Sequence, residues 1–73
     1  MKQASNTYNG KTLRYQEVFK SPFEKATKAD ALRVLEAIRD CHPSSSGWIE
    51  IEGYAEQLPN GNWRAVRNHA QYR

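Results

Sequence analysis

Two Asn-Gly pairs, Asn9-Gly10 and Asn60-Gly61, constrain this chain more than any other feature. A type I′ turn needs φ > 0 at both central residues, which Asn and Gly tolerate, so each pair marks a β-hairpin. The first joins a short strand at Thr7-Tyr8 to a longer one over Lys11–Phe19, where Leu13, Tyr15 and Phe19 are available to one face. The second lies in Pro59-Asn60-Gly61-Asn62, between strands over Trp48–Leu58 and Trp63–Tyr72. Between the hairpins, Ala31, Val34, Leu35, Ile38 and Cys41 fall at helical spacing, flanked by Leu32. Ser21-Pro22 offers one helix start, as N-cap and first-turn proline, and Thr27 with Asp30 offers a second. Pro43 stops the helix, and Ser44-Ser45-Ser46-Gly47 reads as a flexible loop. Met1–Asn6 is polar and reads as flexible. The expected fold is one α+β domain over residues 1–73: a small antiparallel sheet (β-hairpin, helix, β-hairpin) with the helix packed on one face.

Chain length limits what such a domain can do. At 73 residues, a chain buries only about 60% of the surface that its unfolded form exposes. That leaves room for one thin core, and a ligand cavity of about 300–1,000 Å³ is not expected. This weighs against an enzyme. Cys41 is the only cysteine, so no intrachain disulfide forms, although secreted domains this small usually carry several. Its place on the apolar stripe reads as a buried structural thiol. The N-terminus lacks an apolar core segment, and no apolar run approaches 18 residues. The expectation is a soluble monomer of the cytoplasm, with no membrane partner.

The C-terminal hairpin suggests where binding occurs. With Asn60-Gly61 as a two-residue loop, Leu58 faces Trp63, Glu56 faces Ala65, Tyr54 faces Arg67 and Glu52 faces His69. Ile49, Ile51, Ala55, Val66, Ala70 and Tyr72 then form a core face for the helix to cover. The other face carries Trp48, Glu50, Glu52, Tyr54, Glu56, Leu58, Trp63, Ala65, Arg67, His69 and Gln71. Aromatic and arginine side chains are enriched where binding energy concentrates. Trp48, Tyr54, Trp63 and Arg67 are therefore the expected partner-binding residues, with Lys11 and Arg14 from the first hairpin. The plainer reading is that cross-strand pairs merely stabilise the hairpin, at about 0.2–1 kcal/mol each.

Charge is unevenly distributed. The net charge is +3, but residues 48–59 carry −3 and residues 60–73 carry +3, so a hairpin brings opposite blocks together. Lys11, Arg14, Lys20, Arg64, Arg67 and Arg73, with Tyr8, Trp48 and Trp63, would suit single-stranded nucleic acid. The acidic strand and the lack of an RNA- or DNA-binding signature make nucleic acid the second reading.

Catalytic and metal chemistry find little support. Cys41-His42 are neighbours, and adjacent helical positions do not face each other. Cys41, His42 and His69 are too few and too irregularly spaced for a zinc site. Glu50, Glu52 and Glu56 read as a solvated strand face, not as acid–base groups. No catalytic residue, metal or cofactor is expected.

In length and element order the chain resembles small phage-encoded regulators that bind host bacterial RNA polymerase. That resemblance implies binding to the N-terminal region of the β′ subunit in a host cytoplasm. It also implies inhibition of transcription initiation with σ displacement, promotion of antitermination, or both. An inhibitor of a host defence nuclease fits the same composition.

Overall fold

The computed structural model describes residues 2–42 and 47–73. The elements are β1 (Thr7–Tyr8), β2 (Lys11–Lys20), α1 (Lys28–Cys41), β3 (Trp48–Gln57) and β4 (Trp63–Tyr72). The four strands form one antiparallel sheet in the order β1-β2-β4-β3, so β4 lies between the two other long strands. The chain is an α+β domain with the helix on one face of the sheet, as its pattern predicts.

Each turn follows from its residues. Asn9 (φ 50°) and Gly10 (φ 75°) both take positive φ, and Tyr8 pairs with Lys11 across a two-residue turn. The second hairpin differs from expectation. Leu58 N–H donates to the Asn62 carbonyl and Gly61 N–H to the Leu58 carbonyl, with Gly61 at φ 89°. These bonds make Pro59-Asn60-Gly61 a three-residue loop in which glycine occupies the left-handed position. Pairing therefore runs Gln57–Trp63, Ala55–Ala65 and Gly53–Arg67, one residue out of the expected register. A bulge between Glu50 and Glu52 then shifts it again, pairing Glu50 with His69 and Trp48 with Gln71.

The helix starts at the second of its two candidate sites. Thr27 is the N-cap, its hydroxyl accepting the Asp30 N–H at 3.2 Å. Ser21 instead caps a short turn, accepting the Phe23 N–H. At the other end His42 N–H reaches back to the Ile38 carbonyl. The expected stop at Pro43 and loop at Ser44–Ser46 lie outside the described residues.

The helix covers the face that was expected to stay open, and the changed register moves Ala55 onto it and Tyr54 off it. Directly paired residues share a face, so Gly53, Ala55, Ala65 and Arg67 stand together, and α1 packs on β3 and β4 over them. A Cβ built on Gly53 would lie 3.0 Å from Leu35 and 2.6 Å from Arg39, which shows how closely the helix approaches. Ala31 and Leu35 are the helix residues fully buried there.

The expected helix-facing residues occupy the opposite side, with Ala55 the exception. Ala70 and Tyr72, with Ile49, Ile51 and Leu13, form a cluster closed by Ala4 of the N-terminal segment. Polar bonds hold that segment in place. Asn68 Nδ2 and Gln16 Nε2 both donate to the Lys2 carbonyl, and the Tyr72 hydroxyl donates to the Ser5 carbonyl at 2.7 Å. Residues expected to be flexible thus lie across the face that was assigned to the helix.

Candidate functional site

The observed packing scatters the six residues expected to bind a partner. Arg67 is buried at 6% exposure beneath the C-terminal end of α1, its Nη1 donating to the His42 carbonyl at 2.6 Å. Tyr54 pairs with Val66 and lies on the opposite face. Trp48 and Trp63 share Arg67's face but stand at opposite ends of it. Eight residues of β4 separate their strand positions, about 26 Å at 3.3 Å per residue. Trp63 is half-buried, bridged to the Lys25 backbone by two 2.7 Å hydrogen bonds, with Lys28 Nζ 5.9 Å from its ring centroid.

At the other end, the Trp48 ring meets His69 edge-on at 4.8 Å and Tyr15 at 6.0 Å. Trp48 and Lys11 also line a depression of about 290 Å³ with Tyr8, Asn9, Gly47, Ile49 and Tyr72. Arg14 is exposed at the irregularity between Leu13 and Tyr15 in β2.

A larger feature lies beside the helix, and the sequence did not reveal it. Because α1 sits over β3 and β4, its apolar stripe overhangs the side toward β2. Val34 and Ile38 are only half-buried, and Cys41 is exposed, not the buried thiol expected. Between this overhang and β2 runs an open groove of about 510 Å³, although a chain this short gave no expectation of one. Val34, Ala37, Ile38 and Cys41 form one wall. Phe19, Ser21, Pro22 and Phe23 form the other, while His42, Arg67 and His69 contribute the remaining polar lining. Phe23 is 66% exposed and Phe19 40%. The one sequence signal for this site is Phe23 itself, the single large apolar side chain in the connection between β2 and α1.

The charges beneath the groove form a chain. Glu50 receives Arg39 Nε at 2.8 Å and Arg39 Nη2 at 2.7 Å, one on each oxygen. Arg67 Nε lies 3.1 Å from the same carboxylate, but off the line that a hydrogen bond needs, and has no hydrogen-bond partner among the described residues. Arg39 first, and Arg67 after it, hold the Glu50 carboxyl below its ordinary range against the opposing effect of burial. Glu36 accepts a further bond from Arg39 at 2.6 Å in the open. Such an arrangement positions a buried cation, and nothing in it activates a nucleophile. Among the described residues, no three His, Cys, Asp or Glu side chains gather as metal ligands, and no helix is long and apolar enough to cross a membrane. Comparison with family models, curated proteins and solved structures finds no match to this chain.

Proposed function

We propose that this chain is a small non-enzymatic regulator that receives an apolar segment of a protein partner in the groove between α1 and β2. The observation that supports this reading is the exposure of Phe19 and Phe23 along a groove whose opposite wall is also apolar. Exposed aromatic residues grouped around a concavity are the usual seat of binding energy. Bacterial RNA polymerase, through its β′ subunit, is the proposed partner, because of the resemblance in length and element order. The consequence would be inhibited initiation, promoted antitermination, or both.

Immobilised protein should capture RNA polymerase stoichiometrically from a bacterial lysate, and Phe23→Ser should lose that capture while keeping the wild-type urea midpoint. Capture of a different protein, such as a nuclease, would replace the polymerase and keep the groove. Equal capture by Phe23→Ser would refute the groove.

A second reading has its own observation. Trp48 packs edge-on with Tyr15 and also lines a depression with Tyr8 and Lys11, and aromatic rings beside basic side chains are the groups that hold single-stranded bases. Nucleic-acid affinity that falls linearly in log–log form with salt, and is lost in Trp48→Ala, would favour it. An unshifted oligonucleotide at low salt would exclude it.

A further inference from the structure

We infer that the partner segment received by the α1/β2 groove is acidic as well as apolar: an aromatic or aliphatic side chain with a carboxylate close to it in sequence. This deepens the groove reading above and depends on it. The apolar part follows from the Phe19, Phe23, Val34 and Ile38 walls, and the acidic part from the lining beneath them. Among the residues that line the groove, the polar groups are cationic, imidazole or hydroxyl, and none is a carboxylate. Two carboxylates approach it on the sheet face without lining it: Glu50, 3.1 Å from Arg67 beneath the groove, and Glu17, beside His69 at 3.5 Å.

Arg67 is the decisive residue. Its side chain is 7% exposed, and its counter-ion is shared. Both oxygens of Glu50 are already engaged by the two prongs of Arg39, which leaves Arg67 an off-line contact at 3.1 Å. One carboxylate thus serves two guanidinium groups, and the second acid on Arg39, Glu36, is 66% exposed. In a poorly solvated site an under-neutralised guanidinium favours an incoming carboxylate, and guanidinium–carboxylate pairing is among the stronger polar contacts. A basic segment would instead bring like charge toward Arg67, which disfavours wrong partners. The groove therefore discriminates by charge within its apolar selection.

The test is selection of random twelve-residue displayed peptides on the full chain, followed by calorimetry with the best binder. Selected peptides should pair Phe, Trp or Leu with nearby Asp or Glu and be depleted in Lys and Arg. Changing the acids of the best binder to Asn or Gln should weaken it about tenfold or more, the scale of a hydrogen bond to a charged group. Phe23→Ser should abolish binding. Failure to select any peptide, equal affinity of the neutralised peptide, or enrichment of basic residues would each overturn the inference. Sedimentation showing a dimer that Phe23→Ser dissolves would also overturn it, by making a second copy the occupant. If lysate capture depends on Phe23 but the peptides show no acidic preference, the groove reading stands and only this inference fails. If capture is indifferent to Phe23, the groove reading itself fails.

Discussion

Replacing Glu50 with Gln tests the charge arrangement on which the groove depends. The substitution keeps the shape and one carbonyl acceptor, and removes the negative charge between Arg39 and Arg67. The two cations should respond unequally. Arg39 is 34% exposed and retains Glu36 at 2.6 Å, so its share shrinks toward the value of a surface pair, under about 1 kcal/mol. Arg67, at 7% exposure, keeps the His42 carbonyl and no carboxylate among the described residues. Stranding a buried charge costs about 3–5 kcal/mol. Glu50 is 20% exposed and Gln still accepts a hydrogen bond, so we expect a loss of about 2–4 kcal/mol. Against roughly 0.05–0.15 kcal/mol of stability per residue, that is a large fraction of the total for a chain of 73 residues.

Urea unfolding followed by tryptophan fluorescence at about pH 7 and about pH 3 measures the effect. Hydrogen bonds from Arg39 depress the Glu50 pKa in the folded state. Its stabilisation is therefore complete above the ordinary value of 4.5 and is lost as pH falls through the lower folded value. Wild type should consequently lose more stability on acidification than Glu50→Gln does. The slope of the variant should not vanish, because Arg64 depresses Glu56, and Asn60 with Asn62 depresses Glu24, in the same direction. Adding Arg67→Met to Glu50→Gln should recover part of the loss by removing the stranded charge. A Glu50→Gln variant within about 0.5 kcal/mol of wild type at neutral pH, the range of an inconsequential surface change, would refute the reasoning. So would a double variant no more stable than the single one.

Three further substitutions test the fold that positions the groove. Gly53→Ala places a methyl 2.6 Å from Arg39 Nη2 and 3.0 Å from Leu35 Cδ2, and should lower unfolding free energy by about 1–3 kcal/mol through overpacking. Thr27→Ala removes the hydroxyl that caps the Asp30 N–H; the urea midpoint should fall by the equivalent of about 0.5–2 kcal/mol. Asn68→Ala deletes a fully buried amide that donates to the Lys2 carbonyl and accepts from Gln16. We expect a loss of about 1–3 kcal/mol, with hydrogen-exchange protection of the Ala4 amide falling before that of β4.

The element order was legible because turn and helix signals are local. Asn9-Gly10 specifies its own dihedrals, and the spacing of Ala31, Leu35 and Ile38 specifies a helix without reference to the rest of the chain. Face assignment was not legible, because it depends on counting residues through a turn. Asn60-Gly61 permits either a two-residue loop or the last two positions of a three-residue loop, and a change of one residue exchanges the faces of a strand. The bulge near Ile51 then exchanges the faces of β3 again, so Trp48 and Glu50 return to the helix side while Tyr54 does not. No residue type in Glu50-Ile51-Glu52 announces that irregularity. The two-residue loop puts Arg67 opposite Tyr54 on the face expected to stay open; it is buried because it stands opposite Gly53 on the face that α1 covers.

The lateral placement of the helix accounts for the existence of the groove. A helix held to a sheet by apolar packing alone would settle over the middle of the sheet and cover as much of β2 as of β3. Here the bidentate pair from Arg39 to Glu50 ties α1 to the outer strand β3, and Gly53 leaves space for Leu35 and Arg39 to descend there. Drawn to that side, the helix covers β3 and β4 and leaves Phe19 of β2 without a roof. The apolar stripe of α1 is wider than the surface it covers, so Val34 and Ile38 overhang the gap and Phe23 closes its far rim. One set of charges thus both sets the position of the helix and places an under-neutralised arginine in the lining of the groove that this position opens. Glu50→Gln should therefore alter more than stability. In the fraction that remains folded, a helix freed from β3 should shift toward β2 and narrow the groove, while Arg67 gains attraction for an acidic segment. Weaker capture of an apolar peptide with stronger dependence on its acidic residues is the combination that follows.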